Sequence, residues 1–338
     1  MNHIQSTLSR LSLGQPQSFA NMALFPLISA HTEPPDYLVL EEALKQEVGH
    51  ISEISEGGSV PELAFENNAL SRVLLLVDGE QLVGARQNRI LNISILVPAG
   101  KKLTIPVSCC EQGRWGYTGS RQFASSDSAL FARAKAKKML RVSESMRSSG
   151  ERRSNQSEIW DDIAMKSTRL HVDSSTSAMA DVYSQHRARL DDYVSAFKLQ
   201  PGQSGAVVAL DGRVVGLELF DSPTTFGRFF QKLLKSFALD AIDVEQPVTS
   251  VPAAEIARAF LEHLAAASAE TFAALGDGED VRLHGTDVVA GALVADGKVR
   301  HLAGFRTEGL EEESTSWRAR KVRARQFSGS GVRSFTLR

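Results

Sequence analysis

Cysteine is almost missing from this 338-residue chain: there are two, and they are neighbours, Cys109 and Cys110. Adjacent cysteines rarely bridge each other, because a disulfide needs a Cα separation that one trans peptide hardly provides. A disulfide scaffold is therefore excluded, and two thiols cannot build a Cys-rich zinc centre. Reduced cysteines fit a cytoplasmic protein. Long apolar runs are missing too, with no stretch of about 18 apolar residues to span a membrane. The opening MNHIQSTLSRLSLGQPQ has neither an apolar core nor a small-residue cleavage pattern, so no signal peptide is read there. Neither sign of charge dominates: 38 Lys and Arg stand against 40 Asp and Glu, for a formal net charge of −2. That balance argues against wholesale binding to nucleic acid or anionic membrane, which needs a basic excess. The eight histidines show no HExxH or HxH spacing, and no GxSxG or Walker A motif occurs, so no metal site is read.

What is present is an ordinary globular composition, 42% hydrophobic and 23% charged. Residues 1–17 read as a loose leader. SFANMALFPLIS (18–29) reads as a buried strand, and YLVLEEALKQEV as a strand running into a short helix. Residues 18–117 are β-rich. Asp78-Gly79, Asp211-Gly212 and Asp296-Gly297 each sit between apolar alternating runs, which predicts three tight hairpins. RILNISILV (89–97) reads as one strand with Leu91, Ile93, Ile95 and Val97 on its buried face. Residues 127–199 are helical, with helices predicted over 127–147, 157–172 and 179–197. Lys and Arg crowd the first, which reads as a solvated basic face. Residues 203–306 mix strands and helices. Ser222 caps a helix over 222–242 that starts at Pro223, with Phe226, Phe229, Phe230 and Phe237 on its buried face. Another helix is predicted over 251–275, stopped by Gly276. Strands arriving in hairpins predict an α+β fold with mainly antiparallel sheet, one composite unit over 18–306. Residues 307–338 form a charged tail whose RARKVRAR run (318–325) leaves local contact with nucleic acid open.

Two polar clusters stand out. In IPVSCCEQGRW, strict alternation puts Cys109 with Ile105 and Val107 in the core and leaves Cys110 as the thiol facing solvent or ligand. Glu111 and Arg114 flank the turn at Gly113, with Trp115 behind. This is either a Glu–Arg pair closing a turn under an apolar lid, or a reactive loop. A strand followed by a Cys-Glu-Gln-Gly-Arg turn is similar to the cysteine loop of rhodaneses, but GYTGSRQFASS is a poor helix and the βα alternation of that fold is missing. In GEQLVGARQNRI, Arg86, Gln87, Asn88 and Arg89 follow one another at the end of an apolar strand. Forked donors and amides together suit phosphates, ribose hydroxyls or base edges.

SFANMALFPL, GGSVPEL, LLLVDGEQLVGARQNRI, IPVSCCEQGRW, IWDDI and GAVVALDGRVVGLELFDSP, in that order over roughly 18–305, resemble the ARG and Rhodanese-Phosphatase-superfamily-associated protein domain family. ARG denotes ADP-ribosylglycohydrolase. The resemblance implies a role near NAD, ADP-ribose or nucleotide metabolism, with an ADP-ribose or nucleotide ligand and an ADP-ribosylglycohydrolase partner. It carries over no settled mechanism or cofactor.

Two readings follow. In the first, the protein is an ADP-ribose- or nucleotide-directed hydrolase or sensor. Glu111 is then the acid/base candidate, Glu80 the second carboxylate that glycoside chemistry requires, and Cys110 the nearby thiol. Arg86 and Arg114 hold phosphate, Gln87 and Asn88 ribose or base, and Trp115 stacks. In the second, it is a non-catalytic binding or scaffold module and these clusters are structural networks. A shared open pocket for Glu80, Arg86, Glu111 and Arg114 would favour the first; their pairing off in buried networks would favour the second.

Overall fold

The computed structural model describes residues 3–31, 33–117, 121–249 and 252–310. Among the described residues are eighteen strands and eight helices. Every strand pair is antiparallel except Tyr37–Val39 with Val73–Leu76, so the fold is α+β as expected. The large sheet runs in the order Ser12–Leu13, Met22–Ile28, Gln203–Leu210, Arg213–Phe220, Lys298–Arg306, Val288–Ala295, Glu279–His284, Ser268–Ala273, with Gln17–Phe19 also on Met22–Ile28. A six-stranded sheet runs Phe123–Ala129, Glu80–Gly84, Arg89–Leu91, Lys102–Cys109, Glu62–Asn67, Gly49–Glu53, and Ile95–Val97, Val73–Leu76 and Tyr37–Val39 form a small third.

Both faces of the large sheet are covered, which explains why all of Gln203–Leu210 is buried. Ala206 and Val208 pack with the central helices, while Val207 and Ala209 pack with Ala257, Phe260 and Leu264 of the helix Ala254–Ala266. The helix Pro223–Ala241 begins as its sequence dictates, with Ser222 accepting a hydrogen bond from Thr224 N. Phe226, Phe229, Phe230 and Phe237 are all buried, each contributing about 1.5–3 kcal/mol of transfer free energy.

Asp211-Gly212 and Asp296-Gly297 join paired strands, with φ of 49° and 78°, and 52° and 71°. Positive φ at both central residues is the type I′ signature. Asp78-Gly79 is a tight turn of another kind. Only Gly79 has positive φ, 82°, and Glu80 N donates to Val77 O at 3.1 Å. The flanking strands diverge to different sheets and do not pair, so the hairpin expected there is corrected.

Other expectations are corrected by tertiary packing. Residues His3–Ser9 are a helix rather than part of a loose leader, because Ile4 and Leu8, one turn apart, bury beside Phe260 and Leu264. Phe123–Ala129 is a strand, and the helix begins at Ala132. Residues 179–197 form two helices, Met179–Gln185 and Arg187–Ala196, broken at His186. RILNISILV splits into Arg89–Leu91 and Ile95–Val97, each buried on both faces. The helix predicted over 251–275 ends at Ala266, and Ser268–Ala273 instead pairs with Glu279–His284 as an edge strand. The basic helix Ala132–Ser149 is not a solvated face: Lys135, Lys137 and Lys138 are buried, paired with Glu218, Asp162 and Asp78. The basic run 318–325 lies outside the described residues.

Candidate functional site

The two polar segments meet. Strand Arg89–Leu91 pairs with Lys102–Cys109, Cys109 opposite Arg89. Beyond the strand ends, Cys110 N donates to Asn88 O at 3.1 Å and Gly116 N to Arg86 O at 3.1 Å. The loop after Cys109 is fastened from its other side as well. Met179 N donates to Cys110 O at 2.9 Å and Gly113 N to Thr176 O at 2.7 Å. Gly113 is required here: a Cβ would stand 2.9 Å from Thr176 Cα.

At the centre of the junction is Glu111. Its Oε2 accepts from Arg114 Nη2 at 2.6 Å and Asn88 N at 3.1 Å, and its Oε1 accepts from Thr176 at 3.0 Å. Burial pushes the Glu111 carboxyl up, but the hydrogen bonds from Arg114, Asn88 N–H and Thr176 outweigh it and hold it below the ordinary carboxylate range. Arg114 is equally committed, donating to the carbonyls of Ala85 at 2.7 Å and Gly116 at 3.0 Å and to Asn88 Oδ1 at 3.1 Å. Gln87 donates to Glu111 O at 3.1 Å and accepts from Arg89 Nη1 at 2.9 Å. Asn88 Oδ1 also accepts from Gly84 N at 3.1 Å. Thus Glu111, Arg114, Gln87 and Asn88 form one inward, saturated network.

Glu80 and Cys110 lie elsewhere in the bonding pattern. Glu80 is bound by Lys232 at 2.9 Å and by Val77 N at 3.1 Å. Cys110 is fully buried, contrary to the alternation argument, because the chain leaves the strand at Cys109 and turns the next side chain into the core cluster. Among the described residues its Sγ meets only Gln81 Nε2, at 3.6 Å. Burial pushes both thiols up, Cys110 furthest, which is the opposite of an activated thiolate.

What remains available is the outer side of the junction. Trp115 and Tyr117 are 47% and 39% exposed. The Arg86 guanidinium lies 5.8 Å from the Trp115 ring centre and 4.9 Å from that of Tyr117. It also donates to Glu56 O, tying the 56–59 turn to the junction. Beneath Trp115, 5.7 Å from its ring centre, lies the fully buried Arg89. Glu53, from strand Gly49–Glu53, reaches the same place. Arg89 stands in the polar run that the sequence marks, whereas nothing in the sequence marks Glu53 or Tyr117. The inward placement of Arg89 is set by the strand Arg89–Leu91, all three residues of which are buried.

Away from this junction, a cleft of about 100 Å³ is lined by Ser126, Asp127, Tyr183, Arg187, Asp191 and Lys235. It is smaller than the roughly 300 Å³ at which ligand pockets begin, and Asp127 is already paired with Lys235 at 2.7 Å. Among the described residues no group of three or more His, Cys, Asp or Glu is placed to hold a metal ion, and no helix is long and apolar enough to cross a membrane.

No curated protein and no solved structure matches the chain. One family model does match, over residues 10–305, and it covers the strand ends, the Glu111 loop and the sheets that hold them: the chain belongs to the ARG and Rhodanese-Phosphatase-superfamily-associated protein domain family.

Proposed function

We propose that the chain is a non-catalytic ligand-binding module that works beside an ADP-ribosylglycohydrolase and recognises ADP-ribose or a related nucleotide at the outer side of the 84–89 and 108–117 junction. The observation that carries this reading is the saturation of Glu111. An acid/base group must exchange a proton near the working pH and reach its substrate. Glu111 is held ionised and has spent both oxygens on Arg114, Asn88 and Thr176. Glu80, the second carboxylate that glycoside hydrolysis needs, is committed to Lys232. The residues suited to binding are those turned outward: Arg86 for phosphate, and Trp115 and Tyr117 for packing on the ligand's rings. The partner is supported by the association that the family's name states.

The test is a thermal-shift series with ADP-ribose, NAD and AMP, run beside an assay for release of ADP-ribose from an ADP-ribosylated substrate. A ligand that binds only the folded state raises its melting temperature. The expected outcome is stabilisation by at least one of the three, lost in Trp115→Ala, with no turnover. Turnover by the purified protein that disappears in Glu111→Gln at an unchanged melting temperature would overturn the reading.

A further inference from the structure

Arg89 uses one edge of its guanidinium and not the other. Nη1 donates to Gln87 Oε1 at 2.9 Å and to Asn88 O at 3.5 Å. Nε and Nη2, which make up the opposite edge, are buried with no hydrogen-bond partner among the described residues. A buried N–H without an acceptor is costly and uncommon, and here two lie side by side. The nearby carboxylate is in the same condition, since Glu53 Oε1 and Oε2 are both buried without a donor. No hydrogen bond joins the two groups, although each feels the other's charge. Trp115 lies over Arg89 and Arg86 at 5.7 and 5.8 Å. Gly58, at φ 73°, closes the side. A Cβ there would come to 3.1 Å from Arg86 Cδ, 3.2 Å from Trp115 Cζ2 and 3.3 Å from Glu53 Oε2. Two guanidiniums, one carboxylate and an indole therefore converge on one place.

We propose that this place is a sugar-phosphate site, in which Arg89 Nε and Nη2 clasp the phosphate with Arg86 beside them, Glu53 accepts from the sugar hydroxyls and Trp115 packs on the sugar. The inference rests on the ligand-binding reading above and specifies which part of the ligand enters. The free Nε/Nη2 edge presents two parallel donors, the match for two oxygens of one phosphate. A bare anion would leave Glu53 unsatisfied, whereas adjacent hydroxyls supply the donors that it lacks. A zwitterionic amino acid would pair with Arg89 and Glu53 but leave Arg86 unused. Two guanidiniums against one carboxylate leave a positive excess that favours an anion; Arg114 does not add to this excess, because Glu111 neutralises it. Because Arg89 is fully buried, binding requires Trp115 and the 56–59 turn to move aside.

Calorimetric titration of the full chain with inorganic phosphate, ribose 5-phosphate and ADP-ribose tests the assignment in the parent, R89M and E53Q proteins. Ribose 5-phosphate is expected to bind the parent and to lose about tenfold or more in affinity in R89M. E53Q is expected to weaken ribose 5-phosphate by about tenfold while inorganic phosphate binds as well or better, since a repelling charge is gone. Undiminished binding of ribose 5-phosphate to R89M, or none to the parent, would overturn the assignment. ADP-ribose binding that survives R89M but fails in W115A would remove the sugar-phosphate site and leave the ligand-binding module standing. Ribose 5-phosphate binding that needs Arg89, with no response to ADP-ribose, would do the reverse.

Discussion

Two sets of buried charges in this molecule are completed to different degrees. In the first, Glu218 accepts from Lys135 at 2.5 Å and pairs with His301 Nε2 at 2.9 Å, and His301 Nδ1 bonds Ser94 at 2.8 Å. Ser94 in turn accepts from Asp78 N at 2.9 Å, and Asp78 pairs with Lys138, which also donates to the carbonyls of Leu91 and Asn92. Ser, His and Glu here stand in the order of nucleophile, base and orienting acid. The imidazole and carboxylate are nevertheless buried, and both ring nitrogens and both carboxylate oxygens are spent within the network. Its effect is to fasten the helix Ala132–Ser149 to strands of the large sheet and to the turns of the smaller ones. The second set, Arg89 and Glu53 under Trp115, leaves four polar atoms unmatched. A filled network contributes to the fold; an unfilled one costs stability that a bound partner recovers.

The comparison is sharpest where the filled set is cut. Glu218→Ala leaves the Lys135 ammonium and one His301 nitrogen buried without an acceptor, and is expected to cost about 3–5 kcal/mol, read as a lower midpoint in urea unfolding. Glu111→Gln is expected to cost less, about 1–3 kcal/mol, because Arg114 keeps its carbonyl partners. The pH dependence carries its sign. The folded carboxyl of Glu111 sits below its ordinary value of 4.5. Its contribution is therefore complete above that value and is lost as pH falls through the folded pKa. The stability gap between parent and Glu111→Gln should narrow on acidification below 4.5, as followed by unfolding at stepped pH. Gly58→Ala is a smaller test of the unfilled set. It places a Cβ at positive φ against Arg86, Trp115 and Glu53, and a loss of about 1 kcal/mol is expected, together with weaker ligand response. Least energetic of all, Cys109 and Cys110 should not react with a thiol reagent in the native state and should both react in denaturant.

The sequence reveals what is local. Ser222-Pro223 starts its helix, and Asp211-Gly212 and Asp296-Gly297 turn their hairpins, because capping and positive φ depend on a few adjacent residues. The meeting of 84–89 with 108–115 is also legible, since both strands end by changing abruptly to forked donors and amides. What is not legible depends on distant partners. The lysines of Ala132–Ser149 read as solvated, since their acids lie 25 to 83 residues away. Asp78-Gly79 carries the same dipeptide as the true hairpins, but its flanking strands are claimed by other sheets. Cys110 breaks its expected parity because the strand stops one residue earlier. Glu53 escaped notice beside a glycine-rich turn, where nothing in the adjacent residues marks a carboxylate that will face a buried arginine.

Urea unfolding of Arg89→Met without ligand tests the contrast between the two sets most directly. If Arg89 and Glu53 await a ligand, removing the guanidinium deletes two unmatched donors together with the one bonded to Gln87, and the variant should unfold near the parent's midpoint. A loss comparable to that of Glu218→Ala would contradict this, and would make Arg89 a structural charge like those of the filled network.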